Sequence, residues 1–110
     1  MLPSLTLLAL AAQAVTATNL FVSDYAGHIT SLSLTAPHGT YALRQTSVTA
    51  GCHANPTWLT LDAPRGLLYC LNEGVDTADG SLSSFTVHSD GRLTHVQTDS
   101  TISGPGQRRP

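Results

Sequence analysis

Thr57-Trp58-Leu59-Thr60-Leu61, Gly66-Leu67-Leu68-Tyr69-Cys70-Leu71, Gly80-Ser81-Leu82-Ser83-Ser84-Phe85-Thr86-Val87-His88 and Arg92-Leu93-Thr94-His95-Val96-Gln97-Thr98 are the four runs that decide the fold. Each is short and rich in β-branched, aromatic or leucine side chains, and each is bounded by turn residues, the signature of a strand. Between the first two stands Ala63-Pro64-Arg65-Gly66, and between the last two Asp90-Gly91. Both are turn sequences, and at Asp90-Gly91, as at His38-Gly39, Gly supplies the positive φ a hairpin turn demands. The run from Ser81 to His88 nearly alternates, with Leu82, Ser84 and Thr86 on one side and Phe85 and Val87 on the other. After Thr18 no stretch carries a 3.6-residue apolar period long enough for a helix.

An earlier part of the chain repeats this unit. Leu20-Phe21-Val22-Ser23-Asp24 superposes on Leu68-Tyr69-Cys70-Leu71-Asn72, an offset of 48 residues. Ile29, Leu32 and Leu34 then fall on Leu82, Phe85 and Val87, Pro37-His38-Gly39 on Ser89-Asp90-Gly91, and Arg44-Gln45-Thr46 on Val96-Gln97-Thr98. The offset grows to 52–53 because residues 74–80 insert a longer loop. Four-stranded antiparallel units recurring every 40–50 residues are the signature of β-propeller blades. The reading is therefore all-β: about two four-stranded blades of an incomplete propeller, over residues 18–106. The first unit (residues 19–48) holds its last three strands and the second (residues 56–99) all four.

Residues 1–17 read as an export signal. The apolar run from Leu2 to Val15 carries no charge and ends in small residues, with cleavage fitting after Ala14 or Ala17. It is shorter than the roughly 20 apolar residues a membrane span needs. The mature protein is thus expected outside the cell, with no membrane attachment after cleavage. Composition narrows the rest. All five positive charges are arginines and the net charge is −2, which gives no electrostatic reason to expect nucleic acid. An apolar content of 41% is too high for a disordered chain.

The segment from Asn55-Pro56-Thr57-Trp58-Leu59 to Leu67-Leu68-Tyr69-Cys70-Leu71-Asn72-Glu73 resembles the Asn-Pro-Ser-x-Leu…Leu-Tyr-x-x-Asn-Glu segment of the lactonase-type seven-bladed propellers. These are the 6-phosphogluconolactonase-like proteins, including the fungal carboxymuconate-cyclase-like ones. Gly80-Ser81-Leu82-Ser83-Ser84-Phe85 and Gly91-Arg92-Leu93 fit the same pattern. The resemblance implies lactone hydrolysis on a small lactone or sugar lactone, with Glu73 lining the site and no cofactor. Members of the family run to several hundred residues. The chain therefore reads as an N-terminal fragment, inactive alone, with a tail at residues 107–110 that departs from the family. Two other functions stay open: a secreted binding module without chemistry, and a cyclase or isomerase on the same fold.

In an up-and-down meander, the loops at residues 49–56 and 72–80 emerge on one face. That places His53, a candidate acid–base group, near Glu73, the candidate catalytic carboxylate. Asn55 and Asn72 flank them as candidate substrate-binding amides. Cys52 and Cys70 are the only cysteines, which in an exported protein invites a disulfide, the alternative being two separately buried thiols. The strand order, which brings Cys52 near the end of the strand carrying Cys70, favours the bridge. Trp58, at the start of an inner strand, is expected in the core. The histidines lack zinc spacing, and Asp76 and Asp79 are too few for a calcium loop, so no metal is expected. Open strand edges invite self-association.

Overall fold

The computed structural model describes residues 16–102. The run read as an export signal lies, up to Val15, outside the described residues, and so does the tail at 107–110. Among the described residues, seven strands form two antiparallel sheets. The first sheet is β1 (Ala17–Ser23), β2 (Ile29–Thr35) and β3 (Ala42–Thr49), in that order. The second is β4 (Pro56–Asp62), β5 (Leu67–Asn72), β6 (Ser81–Val87) and β7 (Leu93–Ser100), again in sequence order. Among the described residues the only helical turns are two 3-10 turns, Pro37–Gly39 and Ala63–Arg65, both in hairpin connections. Neither sheet closes on itself, so the architecture is that of an incomplete propeller: one four-stranded blade and three strands of another.

The second 3-10 turn shows how sequence sets these hairpins. Asp62 accepts a hydrogen bond from the Arg65 backbone N–H at 3.4 Å, Pro64 fixes φ within the turn, and Gly66 ends it at φ 64°. Arg65 reaches back to the Asp62 carboxylate at 2.9 Å.

The core lies between the two sheets. Ile29, Cys52, Leu68, Cys70, Phe85 and Leu93 are buried together, with Phe21, Leu59 and Val87 packed against them. Pairing explains the membership: Leu68 stands opposite Phe85, Cys70 opposite both Leu59 and Ser83, and Val87 opposite Leu93, so all share one face of the second sheet. Burial of Leu, Ile and Phe side chains supplies roughly 1.5–3 kcal/mol each. Ser83 adds a buried polar cross-link, donating to the Gly51 carbonyl at 2.9 Å while its oxygen meets the Thr98 hydroxyl at 2.8 Å. Gly51 leads into the loop that joins the two sheets, so this bond ties β6 and β7 to that loop.

Trp58 is not in the core. It is 66% exposed. The pairing of β4 with β5 shifts register between Pro56 and Trp58, and Trp58 then stands opposite Leu71 on the face turned away from the first sheet. Leu59 takes the inward position instead, because one residue of register exchanges the two faces of a strand.

Candidate functional site

Three connections meet at one end of the sheets: the β1–β2 turn (residues 24–28), the β3–β4 loop (residues 50–55) and the β5–β6 loop (residues 73–80). Their contacts are mostly made by backbone groups. The Cys52 N–H donates to the Gly27 carbonyl at 3.2 Å, and the Asn55 N–H to the Tyr25 carbonyl at 2.9 Å. The Glu73 N–H donates to the Asn55 carbonyl at 3.4 Å. Gly27 is required here. Its φ is +98°, and a Cβ would stand 2.8 Å from the His53 carbonyl carbon and nearer still to its oxygen. His53 and Asn55 adopt left-handed conformations, φ 65° and 62°, rare for residues other than Gly though least so for Asn. The loop thus folds back tightly over the turn. Cys52 and Cys70, both fully buried, are joined in a disulfide with a Cα–Cα separation of 5.8 Å, which pins this loop to β5.

Asn55 is the hub. It is 3% exposed, and besides its two backbone bonds its side-chain oxygen accepts the Asp76 N–H at 3.0 Å. Asn72 is equally buried; its side-chain oxygen accepts the Gly74 N–H at 2.8 Å and its amide nitrogen donates to the Ser81 hydroxyl at 3.4 Å. Both amides read as substrate-binding candidates are thus engaged in shaping the β5–β6 loop.

Glu73 is half-buried and accepts a hydrogen bond from the Tyr25 hydroxyl at 3.1 Å. This bond spans the two sheets. The carboxylate beside it holds the phenol above its ordinary range, first through the hydrogen bond and then through charge, because ionising Tyr25 would set two anions together. Asp24 prepares the turn that presents Tyr25. Its carboxylate accepts from the backbone N–H groups of Ala26 at 2.9 Å and His28 at 3.1 Å. The His28 N–H is the chief reason its carboxyl lies below the usual range. His53 is placed elsewhere at this end. It lines a shallow open cleft of about 250 Å³ with Asn72, Asp79, Ser81 and Thr98 among others. The imidazole and the carboxylate therefore share an end of the fold but face different surroundings.

Tyr25 was not singled out in the sequence, although the repeat points to it. The offset of 48 that lays Asp24 on Asn72 lays Tyr25 on Glu73. The structure bears out that equivalence, since Asp24 and Asn72 each accept the N–H two residues on. The same position of the repeat thus supplies both partners of the hydrogen bond between sheets.

Among the described residues the arginines stand apart from this cluster. Arg65 and Arg92 pair with Asp62 and Asp90 in turns at the opposite end, and Arg44 lies exposed on β3. Among the described residues no group of His, Cys, Asp and Glu has the arrangement of a metal site.

The family model described as lactonase, 7-bladed beta-propeller matches residues 16–107. The chain belongs to this lactonase propeller family. No curated protein and no solved structure matches it. Against seven blades for the family fold, the described residues of this lactonase propeller chain supply two sheets.

Proposed function

We propose that this chain is an exported, two-blade portion of a lactone-hydrolysing propeller of the 6-phosphogluconolactonase-like kind, silent toward lactones on its own. The observation that carries the proposal is the Tyr25–Glu73 pair, a carboxylate held at the loop end by a hydroxyl from the neighbouring blade. Hydrolysis needs a base to take a proton from water as it attacks the ester carbonyl, and a donor or cation to hold the oxyanion that forms. Glu73 suits the first role, with His53 as a second proton carrier at the same end. The second role is unfilled by side-chain cations near Glu73 among the described residues, because Arg65 and Arg92 are held at the far end. Other blades would supply it. The disulfide supports export, since such bonds persist in oxidising compartments.

The test is a pH-stat assay of the full chain against a panel of aldonolactones, including a 6-phosphorylated one, with spontaneous hydrolysis subtracted. No rate above background is expected. Turnover that disappears in Glu73→Ala would refute the silence of the isolated chain, and turnover indifferent to Glu73→Ala would refute the role given to the carboxylate as well.

A further inference from the structure

His95 and Thr98 of β7 are three residues apart, a spacing that sends side chains to opposite faces of a regular strand. A bulge changes that. The pairing of β6 with β7 shifts register between Ser84 and Phe85: Ser84 stands opposite Gln97 and Phe85 opposite His95, with Val96 left over. The extra residue turns His95 and Thr98 to one face, the face that carries Phe85 and Ser83 and looks toward the first sheet. There the His95 ring lies against Phe85, centroids 5.3 Å apart, and its Nε2 stands 2.7 Å from the Thr98 hydroxyl.

From Thr98 the contacts run inward. Its hydroxyl meets that of Ser83 at 2.8 Å, and the Ser83 hydroxyl donates to the Gly51 carbonyl at 2.9 Å. Counting protons gives this chain one direction. A carbonyl only accepts, so the single Ser83 proton is spent on Gly51. Ser83 therefore accepts from Thr98, and the Thr98 proton is spent in turn. Thr98 then accepts from His95, which fixes the neutral imidazole as the tautomer with its proton on Nε2. His95 is exposed, Thr98 half-buried and Ser83 fully buried, so the chain leads from the surface to the loop between the sheets. Gly51 meets the same ring a second way. A Cβ there would stand 3.4 Å from the Phe85 ring and 3.5 Å from the His95 ring, so the loop backbone packs on the aromatic pair. The first sheet has a bulge at the corresponding place, between Ser31 and Leu32, but there Thr30 stands opposite Val48, which has no hydroxyl to continue such a chain. The bulge belongs to the repeat; the hydrogen-bond chain belongs to the second unit.

We infer that His95 is a positioning residue for the β3–β4 loop, acting through Thr98 and Ser83 on the Gly51 carbonyl. That loop holds more than itself. Its Cys52 N–H meets the Gly27 carbonyl, its Asn55 N–H meets the Tyr25 carbonyl, and its Asn55 carbonyl receives the Glu73 N–H. His95, on the last strand of the second sheet, thus helps to set the loop on which the Glu73 backbone rests. The inference concerns loop geometry and stands whether or not Glu73 takes a proton from water.

The test uses the full chain with isotope-labelled histidine. Long-range proton–nitrogen spectra, taken where imidazoles are neutral, read which ring nitrogen carries the proton, and His95→Phe assigns the His95 signals. Wild-type His95 is expected as a single tautomer protonated on Nε2. Ser83→Ala frees the Thr98 proton to point at the imidazole and should turn that single tautomer into a mixture, although the lost hydroxyl is one link removed from His95. Thr98→Val, an isosteric change at a half-buried position, should do the same, and Thr98→Ser should keep the single tautomer. Circular dichroism checks that each variant folds. Hydrogen exchange reads the loop. The Cys52, Asn55 and Glu73 amides should exchange about tenfold faster in Ser83→Ala, which leaves the Gly51 carbonyl without its donor, and about threefold faster in His95→Phe, which keeps a ring on Phe85 but no Nε2–H. The Gly66 and Val87 amides, bonded in the turns at the opposite end, should hold their wild-type rates. A wild-type His95 protonated on Nδ1 overturns the direction of the chain and the proposal with it. So does a tautomer that neither Ser83→Ala nor Thr98→Val moves, and so does an effect of His95→Phe that is missing at the loop or equally large at Gly66 and Val87.

Discussion

Breaking the Cys52–Cys70 bridge should cost the fold about 3 kcal/mol. The two residues are 18 apart in sequence, and closing a loop of that length in the unfolded chain removes entropy worth about 3 kcal/mol at 25 °C. That is a large share of the roughly 5–15 kcal/mol by which ordinary domains are stable. Reduction of the wild-type chain is the cleaner perturbation, because Cys52→Ala with Cys70→Ala adds a cavity in a fully buried site. Urea unfolding followed by circular dichroism, at fixed protein concentration so that association does not intrude, should show the midpoint falling by about 1–3 M on reduction, given typical slopes of about 1–3 kcal/mol per M. Hydrogen exchange locates the effect. The amides of Cys52 and Asn55, bonded to the Gly27 and Tyr25 carbonyls, should lose protection before those of β6 do. A reduced chain whose midpoint stays within about 0.3 M of the oxidised one, or a thiol titration that finds free cysteines in the native chain, would refute the reasoning.

Two further outcomes are expected. Gly27→Ala forces a side chain into a φ of +98° and drives its Cβ onto the His53 carbonyl, so it should destabilise the fold by at least about 1–2 kcal/mol from the backbone alone; a urea midpoint unchanged from wild type would show that the β3–β4 loop does not close on the turn. The Tyr25 phenol, raised by Glu73, should ionise at lower pH in Glu73→Ala than in the wild-type chain, read as the difference between their 295 nm absorbance titrations. Because the folded value lies above the unfolded one, its contribution to stability is whole below about pH 10 and fades as pH rises through the raised value.

The strands were legible because each is a short apolar run closed by residues whose backbone preferences are strong, such as Pro64 and Gly66 in one hairpin and Gly91 in another. The repeat was legible for the same reason, since Ile29, Leu32 and Leu34 keep the spacing of Leu82, Phe85 and Val87. The side on which Trp58 lies was not, because one register shift at Pro56 decides it and leaves no trace in composition. Nor were the tasks of Asn55 and Asn72. A polar amide at a strand end reads as a ligand group, yet Asn72 accepts a backbone N–H of the β5–β6 loop that follows it and Asn55 reaches across to accept another from that same loop, uses set by loop geometry. The turn at Tyr25 carried no motif, and only carrying the repeat alignment one residue past Asp24 would have found it.

That alignment also links the candidate chemistry to the packing of the blades. Tyr25 and Glu73 occupy one position of the repeat in successive units, so their hydrogen bond exists only while the two sheets hold their separation. The same separation is set by the Cys52, Gly27 and Asn55 contacts and by the core around Phe85. The base role proposed for Glu73 requires a carboxylate held in place before substrate arrives, and the hydrogen bond that holds Glu73 comes from the neighbouring blade. The orientation of Glu73 is therefore a property of blade-to-blade packing, and changes that loosen the core at Phe85 should disturb the Tyr25–Glu73 bond without touching either residue.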